Sequence, residues 1–387
     1  MSEPFCYLDF AAATPLDERV FSVMKPYFTE TFYNPSSPYE PAVAVRRDYQ
    51  AAKTQIARAI GAGADELVMT AGATESINLA IGSFAGHKIC SAIEHDSVRK
   101  AIQASDNYTI IGVDKTGRIM LSELEAAITD ETELISVALA NHEIGTVQSL
   151  SEVAAVVRRV REQRADAGNQ TQLVLHCDAS QGLGLADIHV ARLGVDLLTL
   201  NAAKVYGPKQ VGLLWVRPGV TVTARIVGGG QELGLRSGTE NVAGVIGFAE
   251  AVRLADKYRK RELGRLRDLR DTLQTSLTDA FANAVVSGHP KHRLVNYLHI
   301  SFPGIDAERL VFLLEMQGVL VATGSACAAN KATKSQVLEA IGLPESTANG
   351  SLRMTLGRHT TEADIKRATE AIIAAVTQES RRTGIAV

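Results

Sequence analysis

Seven short apolar runs, at residues 67–70, 88–93, 109–113, 134–139, 173–177, 195–200 and 211–216, are bounded by turn residues and separated by stretches of helical spacing. Their apolarity is continuous rather than alternating, the mark of strands covered on both faces. Such strands belong to a mostly parallel sheet held between helix layers, so the pattern predicts an α/β fold with seven strands. Between two of the runs, residues 151–164 place Val153, Val156, Val157 and Val160 at helical spacing, with Ser151 in position to cap the start. This stretch is expected to be a crossover helix.

After the last run the pattern changes. Residues 244–282 form a long, heavily charged helical stretch in which Phe248, Val252, Leu266, Leu269 and Leu273 recur at intervals of three and four. Its many basic residues read as a solvated face rather than a binding patch. A polar break at 287–292, apolar stretches at 295–302 and 310–321, and helical patterns near 335–341 and 361–377 then suggest a smaller α+β unit. No long Pro/Ser linker separates the two parts, so they are expected to pack together. With 387 residues, 46% of them hydrophobic and 21% charged, the chain has enough apolar surface for two or three cores and is not of a disordered type.

A formal net charge of −3 gives no basic field of the kind that holds phosphate backbones or anionic lipid, so nucleic acid and membrane surfaces are excluded as main ligands. No leader-like segment and no membrane-length apolar run is present, and the expected compartment is the cytoplasm. Four cysteines, Cys6, Cys90, Cys177 and Cys327, lack the spacing of a metal site or a disulfide framework.

Two polar residues stand at the carboxyl ends of expected buried strands: Asp178 in LVLHCDASQ and Lys204 in LLTLNAAKVYGPK. Ligands of open α/β sheets sit outside those ends, so one crevice can receive both side chains. A desolvated lysine forms Schiff bases, and a carboxylate opposite it can keep a ring nitrogen protonated, the pairing that makes pyridoxal phosphate an electron sink. The bland reading is two ordinary strand-end residues. The small-residue turn Thr70-Ala-Gly-Ala-Thr-Glu-Ser76 before a helix is a candidate phosphate site, with Thr74 adding a hydroxyl, although it lacks the nucleotide fingerprints. His95, just beyond another strand, is either a ring-stacking proton carrier or a capping group. Cys327, in the small-residue loop Thr323-Gly-Ser-Ala-Cys-Ala-Ala329, is the best nucleophile candidate of the four thiols. Arg353, among apolar strand-like residues, suits a bidentate carboxylate or an internal salt bridge.

Taken in order, YLDFAAATP, NPSS, TAGATES, EH, NHEIG, HCDASQ, KVYGPK, GGGQELGLRSGTEN, GSAC and SLRMTLGR resemble the cysteine desulfurases of the class V aminotransferase-like, pyridoxal-phosphate fold-type I group, over about residues 7–360. The resemblance implies a large cofactor-binding domain at 16–255, a small domain built from 1–15 and 256–387, and a homodimer. It implies pyridoxal 5′-phosphate held by Lys204, Asp178, Gln181, His95, Ala73, Thr74 and Asn201, with Thr239 reaching the phosphate of the other subunit. Lys204, Cys327 and His95 are the implied catalytic residues, and Arg353, Asn141 and His142 the implied substrate contacts. The implied reaction converts L-cysteine to L-alanine and leaves its sulfur on Cys327 as a persulfide, bound for an iron–sulfur scaffold, a sulfur-relay protein or thio-cofactor synthesis. Ala203, Asn201, His142, Glu40 and Gln336 depart from the family pattern. They leave open a selenocysteine or cysteine-sulfinate lyase, another β-lyase, or a non-catalytic scaffold with weakened cofactor binding.

Overall fold

The computed structural model describes residues 5–323 and 334–385. A two-residue strand, β1 (Cys6–Tyr7), precedes seven strands of one sheet: β2 (Leu67–Thr70), β3 (His87–Ser91), β4 (Tyr108–Ile111), β5 (Thr132–Ser136), β6 (Val174–Asp178), β7 (Leu197–Asn201) and β8 (Gly212–Val216). Their order is β2-β8-β7-β6-β5-β3-β4. Each overlaps one of the seven continuous apolar runs: every residue of β2 and β3 is buried, whereas β4, at the sheet edge, buries only Ile111. Neighbouring strands are parallel except at β8, which runs antiparallel to both β2 and β7. The connection from β7 to β8, residues 202–211, is shorter than the dozen or so residues a parallel crossover requires, so β8 has to return in the opposite sense.

The crossover helix runs Leu150–Asp166. Ser149 rather than Ser151 occupies the cap position, and its hydroxyl accepts from the Arg118 guanidinium instead of capping a backbone N–H. Ser151 is an exposed residue inside the first turn, which corrects the expected cap.

The long charged stretch is a single helix, Val242–Ala280. Its first half contributes Val245, Phe248 and Val252 to the core beneath the large sheet, and its second half contributes Leu266, Leu269, Leu273 and Leu277 to a second core. Arg253, Lys257, Lys260 and Arg261 are exposed, as a solvated face requires. Two basic residues work inward instead: Arg265 donates to the carbonyls of Gly357, Arg358 and Thr360, and Arg270 to that of Tyr297.

The second core lies against an antiparallel sheet of order β12-β13-β10-β9, made by β9 (Val285–Ser287), β10 (Tyr297–Ser301), β12 (Ala322–Thr323) and β13 (Ser351–Thr355). The stretch 310–321 divides into part of a helix, Ala307–Met316, and β11 (Val319–Leu320). β1 pairs in parallel with β11, and Asp9 bridges to Thr355. The chain's first segment is thereby built into its C-terminal part. Among the described residues no helix is long and apolar enough to cross a membrane.

Candidate active site

Asp178 ends β6, and Asn201 ends the neighbouring parallel strand β7, where Asp178 pairs with Thr199. Both strands therefore deliver their last residues to the same edge. The Asn201 side chain accepts from the Ala203 N–H at 3.1 Å and caps the short 3₁₀ turn Ala202–Lys204. That cap sets the departure of Lys204, whose Nζ donates to the carbonyls of Ala11 and Ala12, both at 2.7 Å. Gln181 shares the Ala11 carbonyl at 3.2 Å and accepts from the Tyr297 hydroxyl at 2.9 Å. Asp178 accepts from the Ser180 N–H at 3.0 Å.

His95 faces this edge from the end of the β3 connection, as the N-cap of the helix Asp96–Gln103. Its Nδ1 accepts from the Ser97 N–H at 3.1 Å, so the neutral ring carries its proton on Nε2. Burial pushes its pKa down; Asp178 opposes this, and Lys204 and Arg353 add to it. The preceding Glu94 is buried and accepts from the Ser91 hydroxyl and the Ala138 N–H, which fixes the strand end; burial lifts its carboxyl to about 7.

The His142 ring meets that of His95 edge to face, with centroids 5.0 Å apart. Burial holds His142 well below the ordinary histidine value, reinforced by His95, Arg353 and Lys204. Arg353, on β13 and only 5% exposed, donates from Nη1 to the His142 carbonyl at 3.1 Å and from Nη2 to Asp9 at 2.7 Å. Its Nε is buried without a partner. Burial works against the charge of Arg353, but Asp9 and the neighbouring Tyr297 and Glu143 outweigh it, and the pKa is raised. Asp178, Lys204 and Arg353 all act on the His95 ring through their charges, and His142 packs against it, so the five side chains are neighbours at this edge. The internal ion pair with Asp9 is formed, and it leaves the Nε–H without a partner.

Asn141 is held by the backbone around it. Its Nδ2 donates to the Ile93 carbonyl at 2.8 Å and its Oδ1 accepts from the N–H groups of Glu143 and Ile144 at 2.9 and 2.8 Å. Both polar atoms are committed to backbone, so Asn141 shapes the turn that carries His142.

The helix Ala73–Gly82 follows Gly72, whose φ of 141° is open to glycine and whose missing side chain leaves free space. The first N–H groups of such a helix lack intrahelical partners, which suits an anion. Gly212 of β8 lies directly behind, since a Cβ there would come within 2.7 Å of the Gly72 backbone. Glu75 accepts from the Ala71 N–H at 2.9 Å and pairs with Arg236 at 2.9 Å. Ala73 is half-buried and Thr74 exposed. Thr239 is exposed on a loop pinned by Glu232, a buried carboxylate that accepts from Tyr49, Lys53 and the Met69 N–H. Glu40 and Gln336 are exposed first residues of helices, and Ala203 contributes only its backbone. Cys327 lies outside the described residues.

The sequence reading passed over Asp9, the Ala11 and Ala12 carbonyls, Glu143 and Tyr297. The signal for the first three was the isolated charge of Asp9 in the otherwise uncharged run Tyr7-Leu-Asp-Phe-Ala-Ala-Ala-Thr-Pro15.

A family model for aminotransferase class-V matches residues 6–368. The chain belongs to this family. Within it, the chain is 39% identical over 377 residues to cysteine desulfurase IscS 1 of Archaeoglobus fulgidus, with 95% of each chain covered. It is similar in structure to a NifS-like protein, with a TM-score of 0.88 at 29% identity over 97% of this chain and 100% of that one. A further similar structure, SspA in complex with cysteine, gives 0.76 at 30% identity over 92% and 99%.

Proposed function

We propose that this chain is a pyridoxal 5′-phosphate-dependent cysteine desulfurase that converts L-cysteine to L-alanine and passes the sulfur to Cys327. What supports the reading is that the adjacent strands β6 and β7 bring Asp178 and the Lys204 turn to the same sheet edge, where both, with Arg353, act on His95. The residues fit the cofactor: an open glycine cradle at a helix start suits a phosphate, and a carboxylate at the opposite strand end suits a pyridinium. When bound, pyridoxal phosphate supplies the electron sink that accepts charge from the substrate α-carbon.

Asp178 would keep the ring nitrogen protonated, Gln181 would donate to the ring oxygen, and Ala73, Thr74 and Asn201 would hold the phosphate. Arg353 fixes the substrate carboxylate, exchanging part of its hold on Asp9. Lys204, released from the Ala11 and Ala12 carbonyls, removes the α-proton as general base. His95 keeps a donor, its Nε2–H, facing the reacting groups. The Cys327 thiolate attacks the substrate sulfur; the carbon–sulfur bond breaks, its electrons return to carbon, and a proton completes alanine. The same reading includes the large domain at 16–255, the small domain at 1–15 and 256–387, a homodimer completed by Thr239, and a cytoplasmic place supplying an iron–sulfur scaffold or a sulfur-relay protein.

Purified protein given cysteine and a thiol reductant should release alanine and sulfide in equal amounts. Lys204→Ala should abolish both the reaction and the visible absorbance of the bound cofactor. Retained sulfide release in Cys327→Ala would replace this reading with a β-lyase, and absence of any cofactor absorbance in the wild type would leave a scaffold.

A further inference from the structure

Behind Arg353 lies a buried group that the chemistry above does not use. Glu143 is 3% exposed, and its two carboxyl oxygens accept from the Ser335 hydroxyl at 2.7 and 2.8 Å. His299 of β10, fully buried and in register with Arg353 of β13, has its Nε2 3.7 Å from Glu143, and neither of its ring nitrogens has a hydrogen-bond partner. Through its own N–H, Glu143 belongs to the Asn141 turn that presents the His142 carbonyl to Arg353. Ser335 caps the helix Gln336–Ala340, and that helix packs its Val337 and Leu338 on Ile93 and Ile144. One carboxyl therefore touches three elements: the turn carrying His142, the sheet carrying Arg353, and the first helix after residues 324–333.

We propose that Glu143 is a positioning residue for substrate-carboxylate binding, whose charge state sets how much of the Arg353 guanidinium is free for the incoming carboxylate. The inference rests on the reading of Arg353 as the carboxylate clamp. Ser335 at the helix cap and His299 on β10 lie against the Glu143 carboxyl, His142 is its chain neighbour on the turn, and Arg353 on β13 acts on it through its charge. Asp9 and Tyr297 act next on Arg353, and Arg293 acts on His299. Burial lifts the Glu143 carboxyl to about 8, against the opposing effects of Ser335 and Arg353. The neighbouring His299 is pushed down to about 3 by burial and brings no charge of its own. Below about pH 8, then, Glu143 is neutral, and Arg353 keeps its bonds to Asp9 and the His142 carbonyl while its remaining N–H groups suit a ligand. Above that pH an ionised Glu143 draws on the same guanidinium and repels a second carboxylate.

L-alanine, the product, carries the same carboxylate without a thiol, and its binding to the holoenzyme is measurable by calorimetry. Wild-type affinity should fall about tenfold between about pH 7 and pH 9, as a carboxyl titrating midway predicts. Glu143→Gln, which keeps an oxygen for Ser335 but cannot ionise, should bind at pH 7 as the wild type does and lose most of that fall. Glu143→Ala, without the anchor, should bind weakly at both pH values. Ser335→Ala removes a hydrogen bond that favours the ionised form, so its midpoint should move to higher pH. A wild-type slope retained in Glu143→Gln overturns the proposal, as does an unmoved midpoint in Ser335→Ala. Arg353→Lys separates the two readings: unchanged alanine affinity at pH 7 removes the clamp itself, whatever Glu143 does.

Discussion

The Nδ1 of His95 caps a helix, while its ring lies in the field of Asp178 and Lys204, where it is proposed to act. Asparagine is an equally good cap but has no imidazole. His95→Asn should therefore leave the thermal midpoint nearly unchanged while kcat falls by about a hundredfold or more, a typical loss for a general acid–base group; a matching loss of stability would make the residue structural. Two other histidines are wholly interior. His176 sits between Ser136 and Thr199 and is pushed down by burial to about 4, and His299 to about 3. Both are neutral when folded and regain an ordinary value of about 6.5 when unfolded. The stability they contribute is complete above about pH 6.5 and is lost as pH falls toward 4 and then 3. Urea midpoints should decline through that window, and His299→Asn should flatten the decline at its lower end; an unaltered slope would refute the assignment. At this scale the strand-end pair Asp178 and Lys204 was legible in the sequence, because position at the end of a buried run is a local property. The partner of Arg353 was not: Asp9 is 344 residues away, and no local pattern connects them.

Among elements, the turn before the helix Ala73–Gly82 depends on a neighbour from much later in the chain. Gly212→Ala places a methyl group within 2.7 Å of the Gly72 backbone and 2.9 Å of the Leu200 carbonyl, atoms that cannot rotate away. We expect a stability cost of about 1–3 kcal/mol, as for other overpacked sites. Pyridoxal phosphate affinity should fall at least about tenfold, because the displaced atoms shape the anion cradle. A cofactor titration alongside chemical denaturation checks both, and undisturbed affinity would remove the cradle from the Gly72 turn. The seven strands were readable because burial on both faces leaves a continuous apolar signature. Helix ends were less so: Ser151 has the right chemistry for a cap, but the Ser149 position begins the helix, and a long-range contact with Arg118 claims its hydroxyl.

At the level of the molecule, the helix Val242–Ala280 joins two cores, with Phe248 in one and Leu273 in the other. A rigid element common to both couples their melting. Leu273→Ala should cost about 2–5 kcal/mol and lower one calorimetric transition rather than expose a separate one. Two resolved transitions in the variant would show the cores to be independent. The existence of a second unit was visible from the change in pattern after residue 244. That its core would recruit Cys6 and Leu8 was not visible from pattern, since so short a strand as β1 has no periodicity to read.

The link between β7 and β8 has a consequence for how this protein tolerates change in length. It bears the Lys204 amine proposed to react and also forces the neighbouring strand to turn back on itself. Adding residues there would at once misplace the amine and permit the next strand to enter the sheet the other way round. Surface loops elsewhere can absorb an insertion, but this hairpin's length and its chemistry cannot be altered separately.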